Sequence, residues 1–410
     1  MLKTPVNGMK DILPKEMEIR QYLLKKIREV YIRFGFTEIQ TPHIEHIENL
    51  LGSKGWDNEK LIFKILKRGE KLEEAKKSSD FNDIIDSGLR YDLTVPLSRY
   101  FSNNKKNLVF PFRALQVGSV FRADRPQKFR FREFTQCDID IIGDKNYYSE
   151  IDLLVATGSL LNEIDFLKYN PKIEINDRRL LKSIQKYCGF DEKYFDDICI
   201  VLDKIDKIGL EKVIEELKNI INDNSAIEKF RNLILKIDNS TEKLETLKNE
   251  LNDDNINNII DNLIYIINIV NKENLVNVEF NITLVRGMGY YTGTIFEIKL
   301  ESISSSIGGG GRYDNMISNF SNEDIPAVGI SLGFERLITI LIDNNFSVDN
   351  MKKKFAMLID YNDDINVIEE KYKRALEKRK NGDIVYIATK AKNVRFQKEV
   401  LSNNNYEFLD

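Results

Sequence analysis

One stretch limits the possible folds of this chain more than any other, the run RALQVGSVFRADRPQKFRFREFTQCDIDIIG that begins at Arg113. Its first half, Leu115–Arg122, alternates apolar residues with small or polar ones, and its second half, Phe134–Ile142, alternates again. A polar loop separates the two halves. Two runs of period two around such a loop predict an antiparallel hairpin.

The hairpin also brings opposite charges together. Its loop carries the cations Arg125, Lys128, Arg130 and Arg132, for which a solvated turn would be an ordinary explanation. Arg122, however, ends the first strand, while Gln136, Asp138 and Asp140 recur at spacing two on one face of the second. An arginine opposite an amide and two carboxylates can hold an anion beside a cation. A phosphate and an amino acid would both fit.

These residues resemble the second signature motif of class II aminoacyl-tRNA synthetases. Arg122, the basic loop, Arg132-Glu133-Phe134 and Gln136-Cys137-Asp138 stand in the motif's order, and the Gln-Cys-Asp ending most resembles histidyl-tRNA synthetase. Upstream, Glu16–Phe34 has helical periodicity, Gly35 is expected to end the helix, and Thr37–Ile44 reads as a strand that contains Pro42. That unit is similar to the first class II motif, which builds a dimer interface, although an ordinary helix–strand pair has the same pattern.

A third segment, Leu89-Arg90-Tyr91-Asp92-Leu93-Thr94-Val95-Pro96, precedes an apolar helix start. Asp92 and Thr94, at spacing two, point to the same side of an extended chain and can accept hydrogen bonds from an ammonium group. They fit equally well as caps of the following helix. The segment resembles the amino-acid-binding string of histidyl-tRNA synthetases. The charged residues 67–86 before it read as a loop or weak helix.

Two glycine-rich strings and a strand–helix junction follow later in the chain. Residues 284–297, with Arg286, Tyr290 and Tyr291, resemble the histidyl-specific motif but have Gly289 where that family more often has Asp. A plain strand–turn–strand also fits this string. Residues 307–314 end in Gly-Gly-Arg-Tyr-Asp, a further string of the family, and the missing GK[ST] excludes a P-loop. Residues 327–337 resemble the third class II motif, with Arg336 placed to meet a terminal phosphate.

Composition divides the chain into parts. Residues 191–270 are rich in Leu, Ile, Lys, Glu and Asn, contain 18 acidic and 10 basic side chains, and have helical spacing. We interpret them as a helical insertion domain between a first core part, 1–190, and a second core part, 271–345. The segment Leu202–Lys207 resembles the entry to the insertion domain of the family. Residues 353–410 predict a small α/β domain in the order strand–helix–strand–helix, a reduced form of an anticodon-binding domain.

Several functional classes are disfavoured by composition. The net charge of −4 argues against a general polyanion-binding protein. Cys137, Cys188 and Cys199 lack metal-ligand spacing, and His43 and His46 lack a third ligand, so no metal site is expected. There is no signal-like or 18-residue apolar run, which predicts no membrane association. With three unpaired cysteines, a reducing cytoplasm is the expected location.

The resemblance spans residues 8–340 and implies an α+β fold with a class II antiparallel sheet flanked by helices. It also implies a homodimeric histidine–tRNA ligase that uses ATP with Mg²⁺ to form histidyl-adenylate and then charges tRNA(His). The carboxylate of histidine attacks the α-phosphate, so no protein nucleophile is needed, and the site acts by positioning and charge stabilisation.

Roles transfer from the family to matching positions. Arg122 and Arg286 would act on the α-phosphate from opposite sides. Histidine would be bound by Asp92, Thr94, Gln136, Asp140, Tyr290, Tyr291 and Tyr313. ATP would be bound by Arg122, Asp124, Arg130, Phe134 and Arg336. The tRNA acceptor end would meet Gln127 and Lys128. The alternative is a non-catalytic paralogue, the histidine-sensing regulatory subunit of ATP phosphoribosyltransferase, which would not need Arg122, Arg286 and Arg336.

Overall fold

A computed structural model describes residues 1–52, 57–78, 80–127, 130–285, 290–301, 303–321, 323–348 and 353–409. The chain divides into two compact units, Met1–Asn345 and Phe346–Asp410. The helices are α1 Pro14–Arg33, α2 Ile47–Leu51, α3 Glu70–Ala75, α4 Thr94–Asn104, α5 Tyr148–Glu163, α6 Arg178–Cys188, α7 Phe195–Leu202, α8 Ile205–Ile208, α9 Leu210–Ile220, α10 Asn224–Asp238, α11 Lys243–Leu251, α12 Asp254–Lys272, α13 Asp314–Ser318, α14 Phe334–Asp343, α15 Ile365–Lys380 and α16 Val394–Asn403. The strands are β1 Thr37–Ile39, β2 Ile44–His46, β3 Lys64–Leu66, β4 Ile85–Leu89, β5 Phe112–Phe121, β6 Glu133–Ile142, β7 Pro171–Asp177, β8 Asn277–Phe280, β9 Thr294–Leu300, β10 Ile303–Arg312, β11 Ala327–Gly333, β12 Lys354–Ile359, β13 Ile384–Thr389 and β14 Tyr406–Phe408.

The first unit is built on a large sheet with the strand order β1-β5-β6-β11-β10-β9-β7-β8. Neighbours from β5 to β7 pair antiparallel, and the edge strands β1 and β8 pair parallel to β5 and β7. Helix α1 contacts both α5 and α14 beside this sheet. The expected α+β fold, an antiparallel sheet flanked by helices, is therefore confirmed, with parallel pairing at its two edges.

The predicted hairpin is present and slightly longer than the sequence pattern. β5 and β6 pair antiparallel from Phe112–Ile142 to Phe121–Glu133. Within β6, Gln136, Asp138 and Asp140 of one alternating set are buried acceptors, and Ile139 and Ile141 of the other set are buried apolar residues. One strand thus supplies a site on one face and core packing on the other, as a period of two requires.

Two of the upstream expectations need correction. The single strand predicted over 37–44 is two short strands: β1 joins the large sheet, whereas β2 pairs with β4 in a separate small sheet. Pro42, which has no N–H for a ladder, lies between them. The charged segment 67–86 contains the short helix α3, as the expected loop or weak helix allows, but its last two residues belong to β4, where Ile85 is 5% exposed.

Helix α1 follows its predicted apolar stripe, with Ile19, Leu23, Ile27 and Val30 buried. Gly35, just past its C-cap, has φ +79°, the left-handed conformation that favours glycine at a helix end. Residues 195–272 form the helices α7 to α12, in keeping with the helical spacing. Their status as a separate inserted domain stays a prediction.

The second unit is a parallel sheet of order β13-β12-β14 in its described residues, with cores formed by β12, β13 and α15 and by β12, α16 and β14. The predicted strand–helix–strand–helix order is confirmed here, and β14 was not predicted.

Candidate active site

Three neighbouring strands, β6, β11 and β10, meet α4 and the 290–293 segment around a cavity of about 110 Å³. Its walls are polar. They comprise Asp92, Thr94, Arg122, Gln136, Asp138, Asp140, Tyr290, Tyr291, Gly309, Gly310, Tyr313, Gly329, Ile330 and Ser331. All seven side chains predicted to bind histidine are in this set, together with Arg122. The structure therefore brings together residues that lie more than 200 positions apart in sequence, such as Asp92 and Tyr313.

The cavity presents hydrogen-bond acceptors that lack donors. Within the described ranges, four buried oxygens of its walls have no hydrogen-bond partner: Oδ2 of Asp92, Oε1 of Gln136, Oδ1 of Asp138 and Oδ2 of Asp140. Buried acceptors in folded proteins are nearly always satisfied, and leaving one without a donor costs roughly 1–3 kcal/mol. A ligand that carries several N–H donors would satisfy this group of oxygens.

Burial shifts the acidity of all three carboxyl groups. Burial raises the pKa of Asp92 to about 6, against the effect of the Val95 backbone N–H and of Arg122. Burial raises the pKa of Asp140 to about 7, against a hydrogen bond from Tyr313. Burial, and then the charge of Asp140, hold the pKa of Asp138 well above its usual range. A cation in the cavity would favour the ionised form of each group.

Asp92 contacts the first turn of α4 and also lines the cavity, so its capping role is observed while its role toward an ammonium group stays a prediction. Its Oδ1 accepts from the backbone N–H of Val95 at 3.1 Å in the first turn of α4, which is a capping contact. Thr94 begins α4 and lines the same cavity as Tyr290. One carboxylate oxygen of Asp92 therefore caps the helix, and the other belongs to the cavity.

Asp140 is held by an aromatic hydroxyl and a glycine. The Tyr313 hydroxyl donates to Oδ1 of Asp140 at 2.6 Å, and the ring of Tyr313 lies edge-on to Tyr290 with a centroid distance of 6.2 Å. Gly329 is the cross-strand neighbour of Asp140, and a Cβ at this position would lie 1.9 Å from Oδ1 of Asp140. Only glycine leaves room for the carboxylate in this register.

A second cavity, of about 330 Å³, adjoins the first and is bordered by cations. Arg122, Gln136, Gly309 and Ser331 line both cavities. The further walls of the second are Asp124, Arg130, Phe131, Phe134, Ser306, Ile307, Gly308, Gly333, Glu335 and Arg336. All five residues predicted to bind ATP are therefore gathered here. An acceptor-rich pocket thus opens beside a pocket with three arginines.

Arg122 stands at the junction of the two cavities. Its Nε donates to the carbonyl of Tyr91 at 2.9 Å, and its guanidinium lies 5.1 Å from the centre of the Phe134 ring. The first contact fixes the side chain beside the acceptor-rich cavity, and the second is within the range of a cation–π interaction. This geometry leaves the Nη atoms for a ligand that spans both cavities.

The polar residues of the hairpin loop differ in their contacts and exposure. Arg130 donates to Oδ2 of Asp124 from Nε at 2.9 Å and from Nη2 at 2.8 Å. Gln127 is exposed and forms a tight antiparallel bridge with Arg130. Lys128 lies outside the described residues, as does Arg286 together with Gly289. The predicted partners on the tRNA side and opposite Arg122 are thus only partly described.

Helix α14 is anchored to the rest of the site by an ion pair that the sequence did not suggest. Arg20 of α1 donates to Glu335 from Nη1 at 2.7 Å and from Nη2 at 2.8 Å, and Nη2 also reaches Oγ1 of Thr135 at 3.1 Å. Both charged side chains are mostly buried, at 11% and 8% exposure. Arg336, the next residue, donates from Nη1 to the carbonyl of Ser306. One arginine therefore ties α1, β6 and α14 together beside the second cavity.

Two features are absent from the described residues. No helix among them is long and apolar enough to cross a membrane. Among the same residues, no three His, Cys, Asp or Glu side chains are grouped so that they could hold a metal ion.

Comparisons with known proteins agree with this geometry. The family model "Histidyl-tRNA synthetase" matches residues 8–337. A histidine–tRNA ligase of Leifsonia xyli subsp. xyli is 40% identical over an alignment of 364 residues that covers 82% of this chain and 80% of the relative. A solved histidyl-tRNA synthetase from Nostoc sp. superposes with a TM-score of 0.78 at 25% identity and covers 98% of this chain and 90% of that one. A Bacillus halodurans structure described as an ATP phosphoribosyltransferase regulatory subunit/histidyl-tRNA synthetase shares the fold, with a TM-score of 0.80 at 20% identity over 100% of this chain and 97% of that one. Matched over most of its length by both the family model and a relative at 40% identity, the chain belongs to the histidyl-tRNA synthetase family.

Proposed function

We propose that this protein is a histidine–tRNA ligase, which activates histidine with ATP and transfers it to tRNA(His). The observation that carries the proposal is the pair of adjoining cavities. One gathers four buried acceptors without donors among the described residues, and the other is bordered by Arg122, Arg130 and Arg336. Histidine supplies N–H donors on both its ammonium group and its ring. ATP supplies the negative charge that the arginines require.

In this proposal the smaller cavity binds histidine. Asp92, Thr94 and Gln136 accept hydrogen bonds from the ammonium group. Asp140 accepts from a ring N–H, and Tyr291 holds the other ring nitrogen, with Tyr290 and Tyr313 against the ring. Because these groups are buried, an amino acid without ring nitrogens would leave Asp140 without its partner. Such a loss is a strong source of discrimination.

The larger cavity binds ATP. Phe134 stacks on the adenine and Asp124 contacts the nucleotide, while Arg130 and Arg336 bind the β- and γ-phosphates. Mg²⁺ arrives with the polyphosphate, whose oxygens are the ligands it prefers. Arg130 is paired with Asp124, so ATP must compete with that carboxylate for the guanidinium.

The chemical step is derived from the junction of the cavities. The carboxylate of bound histidine attacks the α-phosphorus, the bond to the bridging oxygen breaks, and pyrophosphate leaves. Arg122 lies between both ligands and stabilises the negative charge on the α-phosphate; Arg286 is proposed to act from the other side. Fixed cations that act on developing charge in this way account for a large share of many enzymes' rate enhancement.

Three further parts of the proposal concern assembly and tRNA. The protein is a homodimer that uses the first-motif unit, where Ile32 of α1 is 56% exposed. Gln127, on the exposed hairpin turn, and Lys128 contact the acceptor end of tRNA, and the second unit adds electrostatic affinity. The cytoplasm is the proposed location, in agreement with three free, buried cysteines.

The test is histidine-dependent exchange between ATP and pyrophosphate, followed by charging of tRNA(His). Exchange with histidine and with no other standard amino acid is the expected result. The alternative regulatory protein needs the acceptor-rich cavity alone, and it would bind histidine without exchange. That outcome would overturn the proposed function, and absence of both binding and exchange would also remove histidine from the site.

A further inference from the structure

The side-chain amide of Gln136 lies at the junction of the two cavities and lines both. It is 9% exposed, its Nε2 donates to Oγ of Ser331 at 2.9 Å, and its Oε1 has no partner in the described part of the chain. An amide oxygen only accepts hydrogen bonds and an amide nitrogen only donates them. Which end faces the cavity therefore decides whether this wall favours an ammonium group or a carboxylate.

Ser331 alone does not fix that choice. A serine hydroxyl both donates and accepts, so it would tolerate either end of the amide. Asp138 removes the ambiguity. It is the direct cross-strand neighbour of Ser331 and is 4% exposed, and the Ser331 side chain opposes the burial that raises its pKa, as expected of a hydroxyl that donates to the carboxylate. Since the hydroxyl has a single hydrogen, donation to Asp138 leaves only its lone pairs for Gln136.

We infer that Ser331 and Asp138 are positioning residues that hold the Gln136 amide with its oxygen toward the cavity, and thereby select an amine-bearing ligand at this wall. The inference rests on the proposed function, in which the α-amino group of histidine lies against Gln136. Neither residue needs to touch the reacting atoms. Asp138 acts on Ser331, Ser331 acts on Gln136, and Gln136 meets the ligand.

The orientation of Gln136 by Asp138 and Ser331 and the binding of the ligand stabilise each other. An ionised carboxylate is an acceptor only, whereas a protonated one can donate and would allow the hydroxyl to reverse. Burial and the charge of Asp140 favour the protonated form of Asp138 by raising its pKa, and a bound ammonium group favours the ionised form. Histidine binding therefore stabilises the protonation state that orients Gln136 correctly.

The test separates the amino group from the rest of the ligand. Ser331→Ala is compared with Ser119→Ala, a serine of β5 that is absent from both cavity walls. Binding is measured by calorimetry for histidinol, which keeps the amino group and the ring, and for 3-(imidazol-4-yl)propionate, which lacks the amino group. Loss of one hydrogen bond to a charged group corresponds to roughly 10-fold in affinity. We expect Ser331→Ala to lower the affinity for histidinol by about that factor. The affinity for the propionate and the KM for ATP should change by less than about twofold.

Asp138→Asn provides the second arm, because an asparagine can donate as well as accept and so releases the hydroxyl. It should reproduce the selective loss, and the double variant should be no worse than either single one, since all three residues act in one chain. If the parent protein catalyses exchange, an equal loss of affinity for both ligands, or no loss of affinity for histidinol, would overturn the inference. Absence of histidine-dependent exchange in the parent would instead refute the proposed function.

Discussion

Asp140 offers the most quantitative test of the site. It is 3% exposed, and burial is the main cause that raises its pKa from 3.8 to about 7. Below pH 3.8 the folded and unfolded chains are both protonated at this group. As the pH rises toward 7, the unfolded chain releases the proton while the folded chain keeps it. Above pH 7 the folded chain carries a buried charge, so the contribution of this carboxyl to stability is lost as the pH rises through that window.

The size of the effect follows from the shift. A difference of about 3 pKa units corresponds to about 4 kcal/mol at 1.36 kcal/mol per unit. Asp140→Asn keeps the shape and the oxygen that accepts from Tyr313, but it cannot ionise. The ligand-free variant should therefore be more stable than the parent by about 4 kcal/mol at pH 8 and by about 2 kcal/mol at pH 5.

Urea unfolding followed by far-ultraviolet circular dichroism at pH 5, 6, 7 and 8 would measure this difference. Asp343→Asn, at the exposed end of α14, is the matched control and should show little dependence on pH. The same Asp140 variant should lose histidine affinity and keep ATP affinity. A variant less stable than the parent at pH 8, or a stability difference independent of pH, would refute the electrostatic reasoning.

Three other predictions concern the Arg20–Glu335 ion pair, Arg286 and the second unit. Arg20→Met removes the close arginine partner of buried Glu335, which keeps the longer pair with Lys10 at 3.9 Å, and should lower the free energy of unfolding by about 3–5 kcal/mol. Arg28→Met, elsewhere on α1, removes an exposed pair with Glu38 of β1 and should lower it by less than about 1 kcal/mol. Equal losses in thermal unfolding would contradict the assignment. Arg286→Ala should slow adenylate formation by ~10²–10³ with an unchanged circular dichroism spectrum, and an unchanged exchange rate would exclude a role for that arginine. A chain truncated after Asn345 should keep adenylation and lose tRNA affinity in a salt-sensitive way, and base changes at the acceptor end should impair charging more than anticodon changes, a ranking that steady-state aminoacylation would test.

The local pattern of the sequence was enough for the parts of the site that lie on one element. Period two placed Gln136, Asp138 and Asp140 on one face of β6, and the structure has all three in the same cavity. Pro42 was visible in the sequence, but the prediction ran one strand through it, and the pattern did not show that β1 and β2 join different sheets. That outcome depends on which strands pair, and pairing is decided by the whole sheet.

Contacts between distant segments left no local signal. Ser331 stands inside an apolar strand and meets Gln136, 195 residues away, because β11 pairs with β6 in one particular register. Arg20 occupies an ordinary polar position of an amphipathic helix, and its partner Glu335 is 315 residues away. A one-residue slip of β11 would turn Ser331 to the other face, so only the assembled sheet identifies it.

The glycine at 329 restricts how the pocket could be re-engineered for histidine analogues. The Asp140 carboxylate occupies the space where a Cβ of residue 329 would lie. Any larger residue there would therefore displace the group proposed to recognise the ring. A substitution at position 329 of β11 therefore cannot be used to enlarge the ring pocket. A library intended to accept bulkier imidazoles would have to start from Tyr290, which is half-buried on the opposite wall segment and has no strand register to preserve.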